Sequence, residues 1–199
     1  MPLRGRYLFG YDILMGVASA SASFLVSYYA FKAYLATREK YFLLLQLGFM
    51  FAGAGLLMDS LLTFFLIFSR TPALLGLGYS LYFAATLVSY ILILSSYVVG
   101  QLKKPILYSA IPVVGYGFVS ETILMLPLMV VVAQSAVNMV ARRSINTLLI
   151  FIAFTLILLS HLMFALHALT GYFLVLGHSL RFTGFMLFAA FIVRVVKTD

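Results

Sequence analysis

The sequence predicts an all-α, polytopic membrane protein of seven transmembrane helices, and three observations carry that expectation. Of its 199 residues, 64% are hydrophobic and only 9% are charged, against about 45–50% and about a quarter in a soluble domain. The apolar excess is gathered into runs. Thr71–Leu102 holds no charge, Leu43–Ser69 holds Asp59 alone, and Ser144–Leu180 holds none apart from histidines; stretches beyond about 18 apolar residues are membrane-span candidates. Third, the basic residues cluster between the runs, predominantly on one side. Such a composition excludes a soluble enzyme, a disordered tail and a disulfide-stapled secreted domain. With no cysteine in the chain, thiolate metal sites and thiol nucleophiles are excluded as well.

The elements follow in order within a single transmembrane domain, 1–199. The first helix is expected over 10–36. Arg4 and Arg6, an apolar stretch and then alternating Ala and Ser over 18–23 imitate a cleavable signal peptide. Asp12 interrupts the would-be apolar region, so this helix is expected to remain. The second spans 42–69 and the third 73–100. The fourth, 105–119, is short and contains Pro112, but Lys104 at one end and Glu121 beyond the other argue that it crosses. The fifth, sixth and seventh cover 121–141, 145–169 and 172–195. About 20 residues at ~1.5 Å rise cross the hydrocarbon core. No run alternates polar and apolar residues as a barrel strand must.

Charge sets the orientation. Lys32, Arg38, Lys40, Lys103, Lys104, Arg142, Arg143, Arg194 and Lys197 fall on the side of the carboxyl terminus, against Arg4, Arg6 and Arg70 opposite, nine to three. The positive-inside rule then places the amino terminus outside and the carboxyl terminus in the cytoplasm of a multi-pass cell-membrane protein. The net charge of +8 is explained by topology. The expected partner is the bilayer, whose anionic head groups meet the basic rim, and nucleic acid is not expected.

An internal repeat is also expected. Leu77-Gly-Tyr-Ser-Leu-Tyr-Phe83 aligns with Leu176-Gly-His-Ser-Leu-Arg-Phe182 at five of seven positions, and both segments enter their helices from the same side. Two parallel three-helix units joined by a linking helix, a 3+1+3 plan, would result. The aligned positions pair Tyr79 with His178 and Tyr82 with Arg181.

Ionisable residues within a span cost about 2.5–3.5 kcal/mol each and call for partners. Asp59 shares a helical face with Gly48, Ala52 and Gly55, Arg181 one with Gly177 and Gly184, and Asp12 one with Gly16, Ser19, Ser23 and Ser27. Small residues mark close helix–helix contact, so these charges are expected on packed faces. Asp59 and Arg181 are expected to form a structural ion pair, with Asp12 joining it. An outer-half pocket between the second, third, sixth and seventh helices is expected to bind a ligand through Asp59, Tyr79, Tyr82, His161, His178 and Arg181, with Glu121 in the same half. Tyr11, Tyr41 and Tyr172 read as interfacial anchors. Gln134, Asn138 and Asn146 read as hydrogen bonders near the cytoplasmic end.

No cofactor is expected. Haem between His161 and His178 demands more room than helices joined by so short a turn give, zinc lacks a His-x-x-x-His pair, and retinal lacks a mid-span lysine. Nor is there a catalytic residue set, so the chain is not expected to be an enzyme. Gly177-His-Ser-Leu-Arg-Phe-Thr-Gly-Phe185, followed by an apolar run and Arg194, resembles the last helix of membrane-associated sensor domains of bacterial and archaeal signalling proteins. That resemblance implies ligand or cofactor sensing at His178 and Arg181. Because the chain stops at Asp199 without an effector domain, it further implies a stand-alone, receptor-like module with a separate signalling partner. The alternative is a transporter of a small solute or ion built on the repeat, as a homodimer. A histidine-ligated haem or metal protein is a second alternative.

Overall fold

A computed structural model describes residues 4–69, 73–101, 118–167 and 169–198. It holds six helices: α1 (Arg4–Thr37), α2 (Lys40–Ser69), α3 (Ala73–Gln101), α4 (Phe118–Arg142), α5 (Ile145–Leu166) and α6 (Gly171–Thr198). Each is long and apolar enough to cross a membrane. The helix expected over 105–119 lies outside the described residues, except that Phe118 and Val119 open α4. α5 stops at Leu166, three residues short of expectation, where His167 caps its end.

The helices form a closed ring in which each packs against its neighbour in the chain and α6 returns against α1. Most neighbours are antiparallel. Ser23 and Ser27 donate to the carbonyls of Phe49 and Gln46 across α1 and α2. Two contacts run parallel instead: Tyr11 with Ser179 places the starts of α1 and α6 together, and Tyr79 with Glu121 does the same for α3 and α4. Two tight turns, after α1 and after α4, share one device. Arg38 and Arg143 adopt positive φ, 57° and 45°, and their N–H groups bond back to the carbonyls of Tyr34 and Met139, closing each helix with a left-handed cap.

The small residues sit where helices approach most closely. A Cβ on Gly184 would lie 2.9 Å from the Ala153 carbonyl oxygen, and one on Gly48 3.1 Å from that of Ser89. α5 against α6 and α2 against α3 are therefore spaced for hydrogen alone. Inside the ring, Phe49 and Phe154 flank Phe188 with ring centroids 4.7 and 5.1 Å away. This aromatic layer divides the interior into an acidic end, with Asp12, Asp59 and Glu121, and a basic end, with Arg38, Lys40, Arg142 and Arg143.

Candidate functional site

The acidic end is built from side chains that leave all six described helices. One face of α3 carries Tyr79, Tyr82, Thr86 and Tyr90 at three- and four-residue spacing, so all four turn toward the interior. Glu121 lies in the first turn of α4, where a carboxylate is favoured by the unpaired N–H groups. Its Oε2 is 2.6 Å from Nδ1 of His161, and its Oε1 accepts from the Tyr79 hydroxyl at 3.2 Å. Tyr79 also bonds Ser120. His161, with no exposed surface, extends the chain through Nε2 to the Tyr90 hydroxyl at 2.6 Å.

A second chain runs beside the first. Arg181 donates to the Tyr82 hydroxyl at 3.1 Å and to Nδ1 of His178 at 3.0 Å. Nε2 of His178 lies 2.6 Å from Oδ1 of Asp12, without the alignment of a hydrogen bond. The guanidinium also stacks over Phe164, 4.7 Å from its centroid, and Phe164 packs edge-on against both His178 and His161. The Tyr79 and Tyr82 rings, 6.1 Å apart, join the two chains. Nε of Arg181 and Oγ1 of Thr86 are buried and make no hydrogen bond.

The expected pairing of Asp59 with Arg181 is not the one formed. α1 stands between α2 and α6 in the ring, and the guanidinium turns to Tyr82 and His178. Asp59 lies beside Gly78 of α3, within electrostatic range of Asp12, Arg181 and Glu121. Of the expected ligand residues, Tyr82, His178 and Arg181 are directly linked, and Tyr79 and His161 meet through Glu121. Tyr90 was not among them. The signal for it was the stripe on α3, which puts Tyr90 two turns below Tyr82 and Tyr79 three turns above it. Tyr11, read as an interfacial anchor, instead reaches Val175 and Ser179 across α1 and α6. Both ring nitrogens of each interior histidine face protein groups, and among the described residues no group of three or more His, Asp or Glu gathers to hold a metal ion.

At the basic end the described residues surround a cavity. A cavity of about 350 Å³ is lined by Ser96, Tyr97, Ser135, Asn138, Arg142 and Thr147, with Tyr41 and Phe191 among its aromatic walls and Phe188 at its inner limit. Phe188 lies seven positions after Arg181, so the cavity's inner wall is about 10 Å along α6 from the backbone that carries the guanidinium. Compared with models of protein families, with curated proteins and with solved structures, the chain matches none.

Proposed function

We propose that this chain is a multi-pass carrier of a small polar solute. The observation that supports it is the division of one ring interior into a chamber at the basic end and an ionisable network at the acidic end, with a single aromatic layer between them. Ser96, Ser135, Asn138 and Thr147 offer hydroxyl and amide groups to a solute, Tyr97 and Phe188 an apolar body, and Arg142 a charge at the mouth. Lined in this way, a pocket is mostly apolar with a few polar groups that orient what enters.

The architecture proposed around it has seven spans, an external amino terminus and a 3+1+3 repeat. The parallel runs of α3 beside α4 and of α6 beside α1 support that plan, because two parallel three-helix units joined head to tail would make those two contacts equivalent. Asp12 and Glu121 then hold corresponding places on α1 and α4, as do Tyr79 and His178. The paired left-handed turns at Arg38 and Arg143 fit the same scheme.

The absence of native cysteine makes the test direct. Single cysteines are introduced as Ser135→Cys in the cavity and Thr86→Cys between the two chains, then challenged with membrane-impermeant thiol reagents from each face of sealed vesicles. A carrier exposes Ser135→Cys to the cytoplasmic face and Thr86→Cys to both faces in turn. Labelling of Thr86→Cys from the outer face alone favours the second reading, a receptor-like module with its ligand among Asp59, Tyr79, Tyr82, His161, His178 and Arg181. That reading draws on the meeting of the six described helices at the acidic end, where a bound ligand would bear on several of them at once. Labelling from neither face removes the carrier.

A further inference from the structure

We infer that the acidic-end network is a proton-binding site, with the two carboxylate–imidazole pairs, Asp12 with His178 and Glu121 with His161, as its proton-holding elements. The inference deepens the carrier reading, in which the proton is the coupling ion, but the proton site itself stands or falls separately.

Among the described side chains, three carboxylates, Asp12, Asp59 and Glu121, lie within electrostatic range of a single guanidinium, that of Arg181. In a low-dielectric interior such an imbalance is relieved by positive charge, and the groups best placed to take up protons are the two carboxylate–imidazole pairs, each with 2.6 Å between nitrogen and oxygen.

Arginine only donates, so Nδ1 of His178 accepts from Arg181 and its ring proton sits on Nε2, facing Asp12. His178 is thus neutral while that bond lasts. A further proton at this pair goes to the Asp12 carboxylate, or to Nδ1 with release of the guanidinium. His161 offers the mirror arrangement. Nδ1–H donates to Glu121, and Nε2 accepts from the Tyr90 hydroxyl. A proton arriving at Nε2 converts the ring to imidazolium and turns that bond around, so that Tyr90 accepts. The balance is one proton gained and no covalent bond broken.

Asp12 keeps 29% of its side chain exposed at the acidic end, whereas Glu121 keeps 7% and His161 none. The chain from Tyr79 through Glu121 and His161 to Tyr90 is a continuous series of exchangeable groups leading toward the aromatic layer, and Tyr97, two turns beyond Tyr90 on the same face of α3, lines the cavity. Around His178 the facing polar groups are Asp12 and Tyr11 of α1 and Arg181 of its own helix. Around His161 they are Tyr90 of α3 and Glu121 of α4. Asp59 of α2 adds its charge to Asp12 and Glu121 without touching either imidazole. Arg181 Nε and Thr86 Oγ1, both buried without a partner, show that the network is not closed on itself.

The test uses the full chain in detergent, stepped from alkaline to mildly acidic pH with an indicator dye counting protons and infrared difference spectra following the carboxyl band. Wild type is expected to take up protons with a carboxyl or imidazolium signal. Asp12→Asn and Glu121→Gln are each expected to lose about one proton per chain, and the double variant both. Tyr90→Phe, which keeps the ring and removes only the hydroxyl, is expected to retain the uptake while shifting the pH at which it occurs; this variant stands in if the carboxamides do not fold. Unchanged uptake in Asp12→Asn and Glu121→Gln, or in Tyr90→Phe no shift at all, overturns the inference. So does a shift of the uptake when potassium is exchanged for sodium at constant pH, which would give the carboxylates to a metal cation. Proton uptake in a chain whose Thr86→Cys is reached from one face only would keep the proton site and remove the carrier.

Discussion

The two ends of the ring treat their polar groups in opposite ways. At the basic end, Ser96 and Ser135 return their hydroxyls to carbonyls three residues back on their own helices, those of Ile93 and Val132, and Thr147 caps α5 with Ser144. These bonds are local: each ties its hydroxyl to its own helix end or turn, beside the cavity that Ser96, Ser135 and Thr147 line. At the acidic end the contacts cross between helices: hydrogen bonds join α4 to α5 through Glu121 and His161, α3 to α5 through Tyr90 and α3 to α6 through Tyr82 and Arg181, and the close approach of Asp12 to His178 joins α1 to α6. The first pattern leaves room; the second fixes relative helix positions.

The contrast is broken most severely by removing a cross-helix partner. Glu121→Ala is expected to destabilise by about 3 kcal/mol, because the Nδ1–H of a fully buried His161 and the Tyr79 hydroxyl both lose an acceptor. Ser135→Ala at the basic end is expected to stay within about 0.5 kcal/mol. Thermal midpoints in one detergent compare the two, and equal losses would erase the distinction between the ends. Next in size is Gly184→Ala, expected to cost about 2 kcal/mol, since its methyl would meet the Ala153 backbone carbonyl, which cannot rotate away. The same midpoint measurement checks it. The smallest effect sharpens the assignment of charges. Double-mutant cycles should give a coupling of about 1–2 kcal/mol for Asp12 with His178 and under about 0.5 kcal/mol for Asp59 with Arg181. The reverse order would restore the direct Asp59–Arg181 pair.

Much of the architecture was legible. Six of the seven expected helix ranges agree with the six described helices to within three residues at every end but the first helix's start, which is Arg4 instead of 10. The stripes of small residues were read correctly as contact faces, because Gly48, Gly55 and Gly184 each meet a neighbouring helix. The candidate site was legible by membership more than by wiring. Asp12, Tyr79, Tyr82, Glu121, His161, His178 and Arg181 all belong to one end, as their depths in the helices required, since a rise of ~1.5 Å per residue fixes depth from sequence position alone. Pairing Asp59 with Arg181 also rested on depth, and depth does not say which helices are neighbours.

The sequence by itself determined that apolar runs become membrane-length helices and that the ionisable residues stand on packed faces, because both follow from the cost of exposing polar groups to hydrocarbon, a cost each segment meets separately. Only the tertiary structure decided the closing of α6 onto α1, which gives His178 to Asp12. It also decided that Glu121 and Tyr90 clasp His161 from two other helices. Partner choice depends on the order of helices around the ring and on the rotation of each about its axis, and these are set by all the contacts together, down to the few ångströms that a glycine allows.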